Sequence, residues 1–523
     1  MSVIATAKGL PRRASPIRAT IQIVIFGSAL LIRVWHMINR GLDYYGDSYH
    51  HWLVSYLTAT NGYAYTSFKE EMRIVWLPLY HYISAFLMNS IGIYDLAVPH
   101  AVNIIFGSLT CVIAYSIAKH LSGREVLGIA AASALALQPW FVNLNTLALT
   151  ETTSCLFIIL AIYFYLLGKH ASFLASITLA MLTRYEAWFF ATMLLALAAI
   201  QRKFGIGKLL ASALCAGAIA MAWCLWSYVN TNDLLAWYKI QTVMTRWDVR
   251  YFYGGTGPNF HRLANFINSM LNMTSWLLPI GIAAGLLKRR AEVRTIAILE
   301  LAFLLCLGAQ ILLGFSLPEP KYSIYIFPMT SILLISPLGG LKRSRVRKAL
   351  FAASLLLIVL LPLRDIWIFP LKTYVLKPEL EAGLALATIY KGGGVISDSP
   401  TVIYYSGIDP RRFHPSSQIH WYAKGWSREK LKEWYMKNDI RYMVWQNASY
   451  SSLWWLYPEL SGGRDRIDLT DPRIPIGYFV EYSKIHRFVD RSVAIHIYRI
   501  VLENLDHPLA AINSTTVSKN RIH

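Results

Sequence analysis

Charged residues are scarce in this 523-residue chain, where Asp, Glu, Lys and Arg together make up 15% of the sequence and hydrophobic residues 55%. Water-soluble domains carry about 25% charged residues. The mean hydropathy of +0.40 also indicates a largely apolar chain. This shortage of charge excludes an ordinary soluble protein and predicts that most of the chain lies in lipid.

Cysteine is rare too, and it never occurs in a CxxC pair. The five cysteines lie in apolar runs, at Cys111, Cys155, Cys215, Cys224 and Cys306. Neither a disulfide framework nor a zinc site is expected, and we interpret these thiols as packing groups. The run Gly392-Gly393-Gly394 lacks the spacing of a nucleotide-binding loop and predicts a turn between a helix and a strand.

Acidic residues are outnumbered, since 29 Asp and Glu stand against 50 Lys and Arg, for a formal net charge of +21. Nucleic-acid binding would need cations on one face. Here they form short clusters between apolar runs, at 119–124, 169–170, 202–208, 288–294 and 342–348. By the positive-inside rule, these clusters and the basic N-terminus lie in the cytoplasm.

The apolar runs predict about eleven membrane spans, each needing about 20 residues. They cover 17–38, 97–118, 125–142, 152–168, 171–183, 187–200, 206–229, 274–287, 295–314, 323–340 and 349–363. The first span has no small-residue cleavage site and is expected to remain uncleaved. The outward connections are then 39–96, 143–151, 184–186, 230–273 and 315–322, and GGTGP at 254–258 is a candidate mobile lid.

Residues 77–94 are also apolar, but a crossing there would move every later basic cluster outside. We therefore predict a re-entrant or interfacial helix over 77–94, with a span as the alternative.

The composition becomes mixed after Leu363. We predict a transmembrane domain over 1–364, which includes the first outer loop 39–96, then a small extracytoplasmic α/β domain over 365–505 and a flexible tail over 506–523. Within the second domain, the patterns predict helices at 378–390 and 427–437, and strands after the glycine run and at 440–446, 478–486 and 494–501.

The first outer loop concentrates polar side chains. Asp47 follows Gly46 and precedes SYHHWLVSYL, which predicts an interfacial helix with Asp47 at its N-terminus. His50 and His51 then share a face with Asp47, and Arg73 lies further along the loop. A helix cap is the alternative role for Asp47.

Further charges fall in the later outward turns. They are Glu151 in ALTETTS, Arg184 and Glu186 in LTRYEAW, and Glu319, Lys321 and Tyr322 in PEPKYSIYIFP. Acids at a membrane face are costly unless paired or used, although helix dipoles, local ion pairs and an interfacial Lys-Tyr belt would also explain these positions. Together they predict an outward cavity where a carboxylate deprotonates an acceptor, and cations or a metal hold a lipid-linked phosphate.

In order and sidedness, GDSYHHWLVSYLTATNGY, WLPLYHY, ALTETTS, LTRYEAW and PEPKYSIYIFP resemble the motifs of the GT-C membrane glycosyltransferases, over about residues 20–340. The resemblance implies a polytopic α-helical GT-C-type bundle of about eleven transmembrane helices, with a small C-terminal extracytoplasmic α/β domain. It implies inverting transfer of a sugar from a dolichyl or polyprenyl phosphate, with a protein, lipid or glycan acceptor, in a plasma or ER-type membrane. The N-terminus would be cytoplasmic.

The resemblance also implies roles for the candidate site residues. Asp47 matches the first-loop acid, as general base, and Glu151 matches the second-loop acid, which positions the acceptor or a metal. Arg184 and Lys321 would contact the donor phosphate. The remaining substrate-binding candidates are His51, Arg73, Glu186, Glu319 and Tyr322.

Two branches of the family are similar to this chain. The protein mannosyltransferase and aminoarabinose transferase branch needs no catalytic metal, but usually has Asp-Glu where this chain has Asp47-Ser48. The oligosaccharyltransferase branch, which transfers a lipid-linked glycan to protein Asn, requires a divalent ion. Asp47, Glu151 and Glu319 would then hold Mg²⁺ or Mn²⁺. Its WWDYG-type motif is replaced by WWLY at 454–457, so we favour a single-sugar transferase.

Two other classes remain open. A transporter would show repeated halves with broken helices, and no repeat is visible. A non-catalytic membrane protein would tolerate Asp47→Asn, whereas the predicted enzyme would not.

Overall fold

The computed structural model describes residues 16–41, 43–252, 258–274, 277–288, 290–335, 376–415, 428–446, 477–487 and 492–501. The chain divides into two compact units, Met1–Leu376 and Lys377–His523. The predicted span at 349–363, the WWLY segment, the tail at 506–523 and most of GGTGP lie outside the described residues.

The first unit is helical. Its elements are α1 (Pro16–Arg40), α2 (Gly46–Thr60), α3 (Glu70–Val75), α4 (Leu79–Ile91), α5 (Ala97–Ser122), α6 (Glu125–Ala136), α7 (Pro139–Asn145), α8 (Thr150–Leu166), α9 (His170–Met181), α10 (Glu186–Ile200), α11 (Ile206–Thr231), α12 (Ala236–Phe252), α13 (Phe260–Met273), α14 (Leu277–Leu286), α15 (Ala291–Leu313), a 3₁₀ turn (Pro320–Ser323) and α16 (Ile326–Ile335).

Four of these helices, α1, α5, α11 and α15, are long and apolar enough to cross a membrane. The number rises to six if the bent pairs α6–α7 and α13–α14 are each one span. The other apolar helices, α8, α9, α10 and α16, have 10–17 residues. The predicted polytopic helical membrane protein is confirmed, while four to six of the eleven predicted spans meet this length and composition test in the described part.

The predicted span at 125–142 consists of two helices, α6 and α7, rather than one straight helix. The chain bends by 66° between α6 and α7. Pro139 opens α7, where its missing N–H costs no hydrogen bond. The Gln138 side chain accepts a hydrogen bond from the Phe141 N–H at 2.8 Å and so caps the new helix.

The outward connection predicted over 230–273 contains two helices, α12 and α13, that were not predicted. Their many polar residues hide them from a hydropathy search. Asn259 starts α13 by accepting hydrogen bonds from the N–H groups of His261 at 2.9 Å and Arg262 at 3.2 Å. The two helices flank the GGTGP segment, whose predicted role as a mobile lid stays a prediction.

Residues 77–94 contain the 13-residue helix α4, with Pro78 at its N-cap. Such a helix is about 20 Å long, shorter than the roughly 30 Å hydrocarbon core of a bilayer. The Leu79 N–H donates to the Leu182 carbonyl at 3.0 Å, which ties the start of α4 to the end of α9. The length of α4 favours a re-entrant or interfacial helix over a crossing.

Buried ion pairs fix the short connection between α1 and α2. Arg40 pairs with Asp43 and donates to the Thr146 hydroxyl at 2.7 Å, and Asp43 also lies 2.8 Å from Nε2 of His100. Although burial alone raises it, Arg40 and His100 lower the pKa of Asp43 to about 2. This network positions the start of α2, which carries Asp47.

The second unit has an α/β fold, as predicted. Its elements are α17 (Lys377–Ile389), β1 (Gly394–Ile396), α18 (Pro400–Ser406), β2 (Phe413–His414), α19 (Arg428–Lys437), β3 (Ile440–Gln446), β4 (Gly477–Arg487) and β5 (Ser492–Val501).

The five strands form one sheet in the order β2-β1-β3-β5-β4. The pairs of β1 with β2 and β3 are parallel, and those of β5 with β3 and β4 are antiparallel. The register aligns Tyr442 with Arg499. Gly393 has a φ of +92°, and a Cβ there would lie 2.6 Å from the Arg441 side chain, so the predicted turn requires glycine. The short elements α18 and β2 were not predicted.

Candidate active site

A cavity of about 450 Å³ opens beside the N-terminus of α2. Asp47, in the first turn of that helix, lines it with a side chain that is 42% exposed. The lining contains charged, aromatic and apolar groups, among them Asp47, His51, Trp76, Thr150, Arg184, Tyr185, Glu186, Trp188, Phe189, Trp237, Tyr238, Gln241, Thr245, Phe303, Leu307, Gln310, Phe315, Lys321 and Tyr322. A helix N-terminus, an ionic cluster and an aromatic wall therefore meet in one space.

Lys321, in the 3₁₀ turn before α16, holds the two nearest carboxylates. Its Nζ lies 2.5 Å from Asp47 Oδ2 and 2.9 Å from Glu319 Oε2. It also lies 5.1 Å from the ring centroid of Tyr45 and 5.3 Å from that of Tyr322, within cation–π range. The ammonium group is thus fixed by two anions and two aromatic rings.

Arg184, in the turn between α9 and α10, is the second cation of the site and is partly buried. Its Nη1 lies 3.0 Å from Glu151 Oε1, and its Nε and Nη2 donate to Glu186 at 3.0 and 2.7 Å. Nη1 also donates to the Thr150 hydroxyl at 3.1 Å. The guanidinium carbon lies 5.6 Å from the Tyr322 ring centroid, so Tyr322 contacts both cations of the site.

The pKa shifts indicate that Lys321, Arg184 and Asp47 are charged. Burial lowers the pKa of Lys321, but Asp47 and Glu319 raise it well above its usual value. Burial likewise lowers the pKa of Arg184, which Glu151 and Glu186 raise in turn. Desolvation alone would raise the pKa of Asp47, whereas Lys321 lowers it below its usual range. While it is bound to Lys321, Asp47 is therefore a weak base.

Most of the predicted site residues converge. Asp47, Lys321, Tyr322, Arg184, Glu186 and His51 line the same cavity. Glu319 and Glu151 are not in the lining, but they form ion pairs with two lining residues, Lys321 and Arg184 respectively. Glu151 is 2% exposed, so it acts on the cavity through its ion pair with Arg184.

Arg73 does not line this cavity. Its guanidinium lies 5.7 Å from the ring centroid of Trp226 and donates to the Asn230 side chain. The structure therefore gives Arg73 a role in joining α3 to the end of α11. His50, which shares a face of α2 with Asp47 by spacing, packs edge-on against Trp76 at 4.5 Å and is also absent from the lining.

An aromatic and neutral polar wall was not predicted. The indole of Trp237 on α12 stacks on Tyr185 with ring centroids 4.6 Å apart. Gln241 and Thr245, one and two turns later on α12, also line the cavity. The signal was the i, i+4, i+8 spacing of these three residues, hidden inside a segment interpreted as a loop.

The three carboxylates that would hold Mg²⁺ or Mn²⁺ in a metal-dependent enzyme are bound to basic side chains. Asp47 and Glu319 both bind the ammonium of Lys321, and Glu151 binds Arg184. Throughout the described ranges, no three His, Cys, Asp or Glu side chains are grouped so that they could hold a metal ion. The residues present thus do not fit a metal held by Asp47, Glu151 and Glu319, because Lys321 and Arg184 pair with these carboxylates.

No protein-family model matches the sequence, and no curated protein matches it. Among solved structures, it is similar to ArnT from Cupriavidus metallidurans bound to undecaprenyl phosphate, with a TM-score of 0.57 and 12% identity over 92% of this chain and 98% of that one. The same protein in the apo state gives a TM-score of 0.59 and 11% identity over the same shares. At this low identity, the likeness shows that the chain shares the fold of ArnT.

Proposed function

We propose that this chain is a membrane glycosyltransferase that moves a single sugar from a polyprenyl-phosphate donor to an acceptor at the outer face of the membrane. The observation that carries the proposal is the presence of two cations, the buried Lys321 and the partly buried Arg184, in one cavity with Asp47 and an apolar wall. A structure of similar fold, ArnT, is bound to undecaprenyl phosphate, which supports a lipid phosphate as the donor headgroup.

The donor phosphate binds between Lys321 and Arg184. An ammonium group has three hydrogen-bond donors, and Asp47 and Glu319 take two of those of Lys321. Phosphate oxygens form charge-assisted hydrogen bonds with both cations. The lipid chain leaves along the apolar part of the lining, which includes Phe303 and Leu307.

Asp47 is the general base of the proposed reaction, and donor binding activates it. When the phosphate competes for Lys321, the ammonium no longer holds the Asp47 carboxylate alone, and the pKa of Asp47 rises toward its usual value. Asp47 then accepts the proton of the acceptor O–H or N–H group. Free enzyme thus keeps its base inactive until the donor is in place.

The transfer step needs no other activated group. The acceptor oxygen or nitrogen attacks the anomeric carbon from the side opposite the phosphate, and its proton moves to Asp47. The bond from the anomeric carbon to the phosphate oxygen breaks, and its electron pair stays on the leaving polyprenyl phosphate, where Lys321 and Arg184 stabilise the charge. The configuration at the anomeric carbon therefore inverts. The α/β unit is assigned a separate role, which is recognition of the acceptor.

The test is transfer by purified protein from radiolabelled polyprenyl-phosphate sugars, with and without EDTA. We expect transfer from at least one donor, no effect of EDTA, and a loss of at least 100-fold in Asp47→Asn, which removes the base. Asp233→Asn is the matched control, because Asp233 forms an ion pair with the exposed Lys239 away from the cavity lining. Absence of transfer with every donor, or undiminished transfer by Asp47→Asn, would refute the proposal.

A further inference from the structure

A chain of hydrogen bonds runs from the cavity into the protein behind α2 and α4. His51 lines the cavity, and its Nδ1 lies 2.9 Å from Nε2 of His81. The other ring nitrogen of His81 lies 3.2 Å from the Tyr65 hydroxyl, and that hydroxyl donates to the Trp76 carbonyl at 2.9 Å. All three side chains are buried, with exposures of 1% for His51, 0% for His81 and 7% for Tyr65.

The protons available along this series of hydrogen bonds determine the tautomers of His51 and His81. The Trp76 carbonyl can only accept, so it takes the single hydroxyl proton of Tyr65. The Tyr65 oxygen is then the acceptor toward His81, and Nδ1 of His81 carries the ring proton. A neutral imidazole has one N–H, so Nε2 of His81 accepts from Nδ1 of His51. Nε2 of His51 is left with a lone pair and no proton.

Both rings are neutral in this surrounding. Burial lowers the pKa of His51 to about 3, and the opposing effect of Asp47 is smaller. Burial also lowers the pKa of His81 well below its usual value. The charged groups Arg184 and Lys321 add to the lowering at His51. A single proton on each ring is therefore the state to which the hydrogen-bond count applies.

We propose that His51 presents this unprotonated Nε2 to the cavity and accepts a hydrogen bond there from a hydroxyl or N–H group of the sugar-bearing substrate. The proposal rests on the transferase function proposed above and specifies how the substrate lies. A nitrogen lone pair attracts hydrogen-bond donors and repels ionised phosphate oxygens. The phosphate therefore lies toward Lys321 and Arg184, and an uncharged donor group lies toward His51.

The two inner residues of the hydrogen-bond series, His81 and Tyr65, do not contact the substrate in this arrangement. His81 and Tyr65 are positioning residues, because they hold the orientation and the tautomer of the His51 ring. Trp76 contributes its carbonyl, and its own ring packs 4.4 Å from the ring centroid of His51. Removing the Tyr65 hydroxyl therefore loosens the tautomer of His51 without altering the cavity lining.

The tautomer can be measured without any activity. The full chain, which contains 14 histidines, is labelled with ¹⁵N-histidine, and His51→Gln identifies the His51 signals in the NMR spectrum. We expect an unprotonated Nε2 and a protonated Nδ1 in the free protein, and a shift of the Nε2 signal when a sugar-bearing lipid binds. A proton on Nε2 at neutral pH would overturn the proposal.

Binding of two lipids tests the orientation. One probe is undecaprenyl phosphate, which has no sugar, and the other is polyprenyl-phosphate mannose or polyprenyl-phosphate aminoarabinose. In His51→Phe we expect unchanged binding of undecaprenyl phosphate and about tenfold weaker binding of the sugar-bearing lipid, because one hydrogen bond is lost. Tyr65→Phe should show the same pattern with a smaller loss.

Tyr82→Phe is the matched control, because the Tyr82 ring packs 5.8 Å from that of Tyr65 but stands outside the hydrogen-bond chain. Equal weakening of both lipids in His51→Phe would overturn the proposal, as would a sugar-bearing lipid that binds no more tightly than undecaprenyl phosphate. If undecaprenyl phosphate does not bind the unaltered protein, the proposed function fails, and the NMR measurement still decides the tautomer.

Discussion

At the scale of single residues, the site is governed by which anion holds Lys321. Asp47 lies 2.5 Å from its Nζ and Glu319 lies 2.9 Å away. A charge buried among aromatic rings must be paired, so the two carboxylates stabilise the empty cavity and a phosphate takes over part of that work when it binds. Lys321 therefore stabilises the empty site through its ion pairs with the two carboxylates, and contributes to phosphate affinity once the donor binds.

Removing this cation should remove phosphate affinity. In Lys321→Gln we expect undecaprenyl phosphate to bind at least tenfold more weakly, because a hydrogen bond to a charged group contributes about 1.5–3 kcal/mol. Tryptophan fluorescence titration measures the affinity, since Trp76 and Trp237 line the cavity. Lys239→Gln is the control, because that side chain is 63% exposed. Equal affinities of the two variants would contradict the assignment of Lys321.

Which residues meet at the cavity was predictable from the sequence only in part. The outward turns that carry Asp47, Arg184 and Lys321 were identified from sidedness, and the structure brings them together. The pairing of Asp47 with Lys321, 274 positions apart in sequence, depends on how the helices pack. Helix packing also explains why Arg73 does not contact the cavity, because the presence of a charge in a loop does not specify where its side chain points.

At the scale of elements, hydropathy located helices well and missed bends. Helices α8 and α10 lie within two residues of the apolar runs that predicted them. The break between α6 and α7 was not predicted. Pro139 was a local signal for it, but the long apolar run around Pro139 was interpreted as one span. Helix α12 was missed for the opposite reason, since its polar residues suggested a loop.

Gln138 joins the two bent helix pairs. Its amide nitrogen donates to the Met273 carbonyl at the end of α13, while its oxygen caps α7 through the Phe141 N–H. In Gln138→Leu both backbone groups lose their partner, and each buried group left unsatisfied costs about 1–3 kcal/mol. We expect a clearly lower thermal unfolding midpoint in detergent.

The control for this prediction is Gln22→Leu. The Gln22 amide makes one side-chain hydrogen bond of 3.3 Å to Ser116, and this bond joins α1 to α5 away from the helix ends. Its loss should change the midpoint little, because no helix end is left without a cap. If the two variants unfold at the same temperature, Gln138 does not hold the bends together.

At the scale of the whole molecule, the proposed mechanism depends on sidedness. The cavity must face the compartment in which the lipid-linked sugar is presented, and the basic clusters predict that this is the side opposite the cytoplasm. Helix α11 tests the prediction directly. It is long enough to cross, and it runs from the basic cluster at 202–208 to the segment before α12.

Two single substitutions at the ends of α11 report its orientation. Lys208→Cys and Leu234→Cys both replace exposed side chains, in a background where the five native cysteines are changed to serine or alanine. With a membrane-impermeant maleimide on intact cells, we expect labelling of Leu234→Cys alone, and labelling of Lys208→Cys only after the membrane is opened. The reverse pattern would put Asp47, Lys321 and the whole cavity on the cytoplasmic side, where the proposed donor geometry would not hold.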